Sequence, residues 1–230
     1  MSARFWAIAT LVTGLISLGL FVVFAMLPEM RAAASCLPAG SVVQFELARD
    51  VDQLRAIFGA PDSQCRPLAI AAMDAVNHID LIAFIPAYTA FCMCAALFLS
   101  GGAWRPLTIA AVASALFAAA GDLLETTTLL DISQRLDTPG DLLSLSQLGA
   151  WSKFALLAAH AVFCAGLCFV AEKRRPILGA LLSLPAPGVA AAAFNHVTLA
   201  NAMNGAFAIA WIALLVVAGF SAARAKGAQA

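Results

Sequence analysis

Six stretches of the chain run apolar for roughly the 20 residues a helix needs to cross the hydrocarbon of a bilayer. They lie near 5–27, 79–100, 106–130, 150–171, 176–194 and 203–223. Pro185 and Pro187 interrupt the fifth, which predicts a kink or short break there, because proline removes a rung of the helical hydrogen-bond ladder. The third is over-long, so its last turn is expected to leave the hydrocarbon. The first begins with Arg4 and ends in RAAASC, the layout of a signal peptide. Its apolar run exceeds the usual 7–15 residues of such a core, so it reads as a retained span.

Residues 28–78 make the only long connection, and its pattern is different. Val42 to Leu47 alternates, which predicts a short strand. Asp50 to Phe58 sets Val51, Leu54, Ile57 and Phe58 on one helical face, with Asp50 placed to cap the helix. The expected architecture is an all-α membrane protein. It is a bundle of about six transmembrane helices forming one domain over 1–230, with a small extracytoplasmic cap, 28–78, inserted between helices 1 and 2.

Composition supports this. The 230 residues are 63% hydrophobic and only 11% charged, against about 25% charged in soluble domains. Mean hydropathy is +0.92. The formal net charge is zero, so there is no basic footprint for nucleic acid. No Walker motif, dinucleotide-binding glycine fingerprint or HExxH occurs. The partner implied is the lipid bilayer; a membrane-protein partner or a second copy of the chain stays open.

Charge also orients the spans. With a cytoplasmic N-terminus the inner side holds Arg4, Arg105, Lys173, Arg174, Arg175, Arg224 and Lys226, with Glu172 as its one acid. The outer side then holds most of the acids, and its basic residues lie mainly in the long loop that the positive-inside rule discounts. Both termini are therefore expected inside, in a bacterial inner membrane. Trp6, Trp104 and Trp151 fall near the expected interfaces.

On this topology the polar residues of the spans segregate to the outer half. They are Asn77, His78 and Asp80 on span 2, Asp122 and Glu125 on span 3, and Lys153 and His160 on span 4. Asn195 and His196 end span 5, where a cation complements the helix dipole, and Asn201 and Asn204 open span 6. Ionisable groups in a membrane are costly and usually face a bundle interior or cavity. Asp122 and Glu125 stand i, i+3, on a face with Thr126 and Leu129. Asp80, Phe84 and Tyr88 follow at i, i+4, i+8, and Lys153 and His160 at i, i+7. These faces predict one outward-facing pocket of Asp80, Asp122, Glu125 and Lys153, backed by His160 and Tyr88.

Three chemistries fit such a pocket. In the first it is a structural ion network, with Lys153 neutralising one or two acids, or a small-ligand site built on the same groups. In the second, His78, Asp80, Asp122, Glu125 and His196 supply ligands to a divalent metal that activates water against a lipid-like substrate, although no HxH or HxxxH supports it. In the third the same groups serve metal-free acid/base catalysis or proton-coupled transport. Polarity is thin in the inner half, which argues against an open channel.

Cys36 and Cys65 bracket the cap and, in an oxidising compartment, are expected to form a disulfide. Closing that loop stabilises by about 3–4 kcal/mol in the chain-entropy model. Cys92, Cys94, Cys164 and Cys168 lie within spans. Cys92 and Cys94 point to different faces, so the four read as packed small hydrophobes rather than a soft-metal cluster.

FELA at 45–48, D-x3-F-x3-Y at 80–88, D-x2-E at 122–125 and then Lys153, in that order, resemble a group of uncharacterised multi-pass bacterial membrane proteins over about residues 40–160. The resemblance implies an envelope location and the same polar positions, and no activity. Where such sequences often place Asn or another group after the Glu, this chain has Thr126.

Overall fold

The computed structural model describes residues 3–170 and 174–227; among them the chain is helical, with no strand. The helices are α1 (Ala3–Met26), α2 (Pro28–Ala32), α3 (Ser41–Glu46), α4 (Val51–Phe58), α5 (Cys65–Ile79), α6 (Ile85–Leu99), α7 (Pro106–Ser133), α8 (Leu142–Val170), α9 (Pro176–Leu182), α10 (Pro185–Phe194) and α11 (His196–Gly227). A π turn, Asp80–Phe84, joins α5 to α6 without a break. Six of these runs are long and apolar enough to cross a membrane: Arg4–Met26, Cys65–Leu99, Pro106–Ser133, Leu142–Val170, Pro176–Phe194 and His196–Arg224. Their outer faces carry large apolar side chains such as Phe117, Ile177 and Phe194, a surface that lipid rather than water solvates. Glu172 and Lys173, part of the expected inner charge, lie outside the described residues, as does the Lys226 side chain.

Local chemistry explains the boundaries. Proline opens α2, α9 and α10, where its missing N–H costs nothing. The expected break in the fifth span falls between Leu182 and Pro185. In the π turn the Ile85 N–H donates to the Asp80 carbonyl, one residue further back than in an α-helix. Pro86 follows at once and has no N–H of its own to give, so the ladder is already interrupted there. The α-helical face assumed for Asp80 and Phe84 is therefore corrected: a π turn has a longer period. Asp50 caps α4 as expected, accepting from the Gln53 N–H at 2.8 Å.

The structure departs from the sequence reading at several places. Span 2 starts at Cys65 rather than 79, because Ala69, Ala72, Met73 and Val76 form an amphipathic face that continues the helix through the cap. Span 4 starts at Leu142 rather than 150, with Leu142 and Leu143 against the same core. The expected strand at Val42–Leu47 is the helix α3. Val43, Phe45 and Leu47 are all buried, so the alternation was real. It arose because this short helix is covered on both sides.

The chain divides into two compact units. One comprises Gly19–Pro86 and Ala119–Lys153 and contains the whole cap. Its core is Phe45, Leu54, Ile57, Phe58, Met73, Leu129, Ile132 and Leu136, with the Phe45 and Phe58 rings edge to face at 4.8 Å. Cys36 and Cys65 are bonded, with 5.2 Å between their Cα atoms. Asp137, in the α7–α8 connection, pairs with Arg66 at 2.6 Å and Arg55 at 3.5 Å. Gln147 of α8 donates to the carbonyls of Ala48 (2.9 Å) and Leu47 (3.3 Å) at the end of α3.

The other unit comprises the described residues of 1–18, 87–118 and 154–230. Trp211 packs against Phe91 (5.4 Å) and Tyr88 (6.2 Å), and the Arg175 guanidinium lies 4.8 Å over the Phe98 ring. Only Asn195 separates α10 from α11, and its Oδ1 accepts from the Thr198 N–H. His196 thus opens a helix instead of ending one, which corrects its expected dipole role.

Candidate functional site

The site is built around the crossing of α7 and α8. Gly121 and Gly149 face each other there: a Cβ on Gly149 would stand 2.7 Å from the Glu125 N and the Gly121 O. Only a residue without a side chain permits this backbone approach. The crossing then dictates what meets. Lys153 lies one turn after Gly149, and Asp122 and Glu125 follow Gly121 on the facing helix.

Lys153 Nζ accordingly sits 2.7 Å from Glu125 Oε2 and 3.1 Å from Asp122 Oδ1. All three side chains are buried, Glu125 completely. A fourth group comes from the cap: Glu46, at the end of α3, places Oε2 3.5 Å from the same ammonium. Asp80, in the π turn, accepts a hydrogen bond from Thr126 Oγ1 at 2.9 Å and interacts electrostatically with Asp122, Lys153 and Glu46. Five ionisable groups from α3, the π turn, α7 and α8 therefore converge inside one unit. Burial pushes the Glu46 carboxyl above its ordinary value; the Lys153 charge opposes that shift and the Asp122 charge adds to it.

Several polar atoms in this unit are buried without a hydrogen-bond partner among the described residues, and two of them lie on or next to the elements that build the cluster. One is Glu125 Oε1. The other is the amide Nδ2 of Asn77, whose residue is 7% exposed and stands one turn before Asp80.

The structure thus brings together Asp80, Asp122, Glu125 and Lys153. It places the remaining candidates elsewhere. Tyr88 belongs to the other unit, against Trp211. His160 is also there, its Nδ1 3.0 Å from the Ala111 carbonyl and its Nε2 3.5 Å from Cys164 Sγ. His78 is exposed on α5, with Nδ1 2.6 Å from the Asp74 carbonyl. His196 opens α11 in the other unit. The proposed metal set is not assembled: among the described residues, no group of three or more His, Cys, Asp or Glu is arranged to hold a metal ion. Cys92, Cys164 and Cys168 are buried free thiols, and Cys94 is half-buried.

Glu46 and Gln147 were missed as site residues. A helical reading of 41–48 would have shown Glu46 as the one acid in an apolar turn, inside the FELA motif. The glycine that precedes Lys153 by one turn was the other available signal. In comparisons with known proteins, no family model, curated protein or solved structure matches the chain, so its role has to be inferred from this geometry.

Proposed function

We propose that this is a polytopic protein of the bacterial inner membrane with both termini cytoplasmic, whose buried ion cluster latches an extracytoplasmic cap onto the helices beneath. The observation that carries the latch is the position of Lys153 Nζ, within ion-pair distance of Asp122 and Glu125 on α7 and of Glu46 on the cap helix α3. The Cys36–Cys65 bond and the ties from Gln147 to α3 hold the same cap, which is the architecture of a covered binding or assembly site. The disulfide supports an extracytoplasmic side for the cap, where such bonds persist. The FELA, DxxxFxxxY and DxxE order supports the envelope location.

Removing one partner of a buried ion pair strands the other, at a cost of about 3–5 kcal/mol. Lys153→Met is expected to lower the unfolding free energy of the detergent-solubilised protein by that amount, and Asp122→Asn by less, because Glu125 and Glu46 stay within reach of the ammonium. The double variant should lose far less than the sum. Additive losses would overturn the latch.

A second reading, metal-free acid/base hydrolysis of a lipid-like substrate, draws on the carboxylates beyond what one lysine needs and on the unpartnered Glu125 Oε1. Turnover of a phospholipid or lipid-linked substrate by the purified protein, lost in Glu125→Gln, would establish it.

A further inference from the structure

We infer that the cluster is a proton-binding site, and that the latch closes with uptake of protons and opens as they leave. This rests on the latch reading above. Four carboxylates, Glu46, Asp80, Asp122 and Glu125, surround one ammonium, Lys153. Among the described residues, Lys153 is the cation that the ion pairs and the electrostatics bring to these acids from every contributing element: α3, the π turn, α7 and α8. An ion pair needs one acid per lysine. Fully ionised, the site carries three negative charges more than its cation offsets, and burial at this level makes such an excess prohibitive.

Something positive must accompany closure. No group of three or more acids is arranged to share a metal among the described residues, and a proton needs no coordination sphere. The unpartnered atom points the same way. Glu125 Oε1 is a buried acceptor without a donor, inside a side chain with no exposed surface. A neighbouring carboxyl that carries a proton supplies that donor, in a short charge-assisted O–H···O⁻ bond. The proton enters from solvent and returns to it; no bond other than O–H forms or breaks.

The direction follows from linkage. With the cap open Glu46 meets solvent and ionises at its ordinary value; with it closed the cluster as a whole holds more protons. The closed state is therefore favoured at low pH and weakens as pH rises, by about tenfold in its population ratio per pH unit for each proton released. The raised Glu46 carboxyl has the matching sign.

The test uses the full-length, disulfide-bonded protein in lipid nanodiscs. Infrared titration from about pH 5 to about pH 9 reads the carbonyl stretch of protonated carboxyl groups. The expected result is a band present at the acid end that fades with rising pH and is reduced in Asp80→Asn and in Glu125→Gln. Amide hydrogen exchange over residues 41–58, normalised to the intrinsic rate at each pH, reads the cap. Protection should fall about tenfold per pH unit per proton in the wild type, and less steeply in the double variant Asp80→Asn, Glu125→Gln, which leaves only Glu46 and Asp122 to share the one lysine. Absence of the band in the wild type, which requires no variant to fold, overturns the inference. So does a band that titrates while cap protection stays constant. If Lys153 and Asp122 couple in the double-variant cycle but no band appears, proton binding fails and the latch stands; uncoupled losses remove the latch itself.

Discussion

Each compact unit buries a polar group, and the two are built on different terms. In one unit His160, Cys164 and Cys168 follow at i, i+4, i+8 along α8. The imidazole meets the Ala111 carbonyl at 3.0 Å and the Cys164 sulfur at 3.5 Å. An imidazole has one N–H to give and one nitrogen to receive, so these two contacts satisfy it without an ion. In the other unit, Lys153, Asp122 and Glu125 have no such option. An ammonium offers only donors and a carboxylate only acceptors, so each depends on the others being in place. The first arrangement is local and forgiving. The second needs α3, the π turn, α7 and α8 to be positioned together, and so makes the fold of the cap a condition for burying the charge.

The sharpest way to break this contrast is at the helix crossing. Gly149 and Gly166 both lie on α8. A Cβ on Gly149 would press within 3 Å of α7 backbone, which cannot give, whereas a Cβ on Gly166 would meet the Leu107 side chain at an ordinary 3.4 Å. Gly149→Ala is expected to lose about 3 kcal/mol by overpacking and to pull Lys153 from its acids. Gly166→Ala should be neutral, or gain by up to about 1 kcal/mol from helix propensity. Thermal unfolding of both variants checks this, and equal effects would deny that the backbone approach positions the cluster.

A smaller effect tests the forgiving side. His160→Leu removes two hydrogen bonds from the first unit and leaves no charge behind. A loss of about 1–2 kcal/mol is expected, well below that of Lys153→Met. Exchange protection over 41–58 should be unchanged by it. A cap that loosens in His160→Leu would show that His160 contributes to the latch after all.

These contrasts also mark what was legible in the sequence. Period and length sufficed for the spans, because twenty apolar residues have few other uses. The pairing of Cys36 with Cys65 and the cap at Asp50 were legible because each shows in the residues themselves: two cysteines that bracket one loop, and an aspartate at the start of an amphipathic run. Span ends were not. Residues 65–78 are polar enough to read as loop, yet their apolar stripe is answered by Phe45, Leu54 and Phe58 from elsewhere in the chain. The same hidden partner turned α3 into an apparent strand and concealed Glu46. In the cluster, Asp80, Asp122, Glu125 and Lys153 were found by asking which charges a span would tolerate. His160 and Tyr88 passed the same filter but lie in the other unit, because that question registers polarity without registering who satisfies it.

The finest prediction sets two acids of the cap region against each other. Asp137 is held below its ordinary value, first by the hydrogen bond from Arg66 and then by the charges of Arg66 and Arg55, against some desolvation. Glu46 is held above its ordinary value by burial. Their linkage signs are opposite. A depressed carboxylate stabilises above its unfolded value, near 3.9 for Asp, and that contribution disappears as pH falls through the folded one. A raised carboxyl favours the folded state at low pH and weakens it as pH rises. Stability of this unit should therefore decline on both sides of a maximum, with Asp137 shaping the acid limb and the Lys153 cluster the neutral-to-alkaline one. Asp137→Asn is expected to flatten the acid limb alone, by a small amount because the pair is solvent-exposed and screened by salt. Unfolding midpoints measured at low and high salt across the pH range test the assignment: the acid limb should shrink with salt, while the limb set by the buried cluster should not.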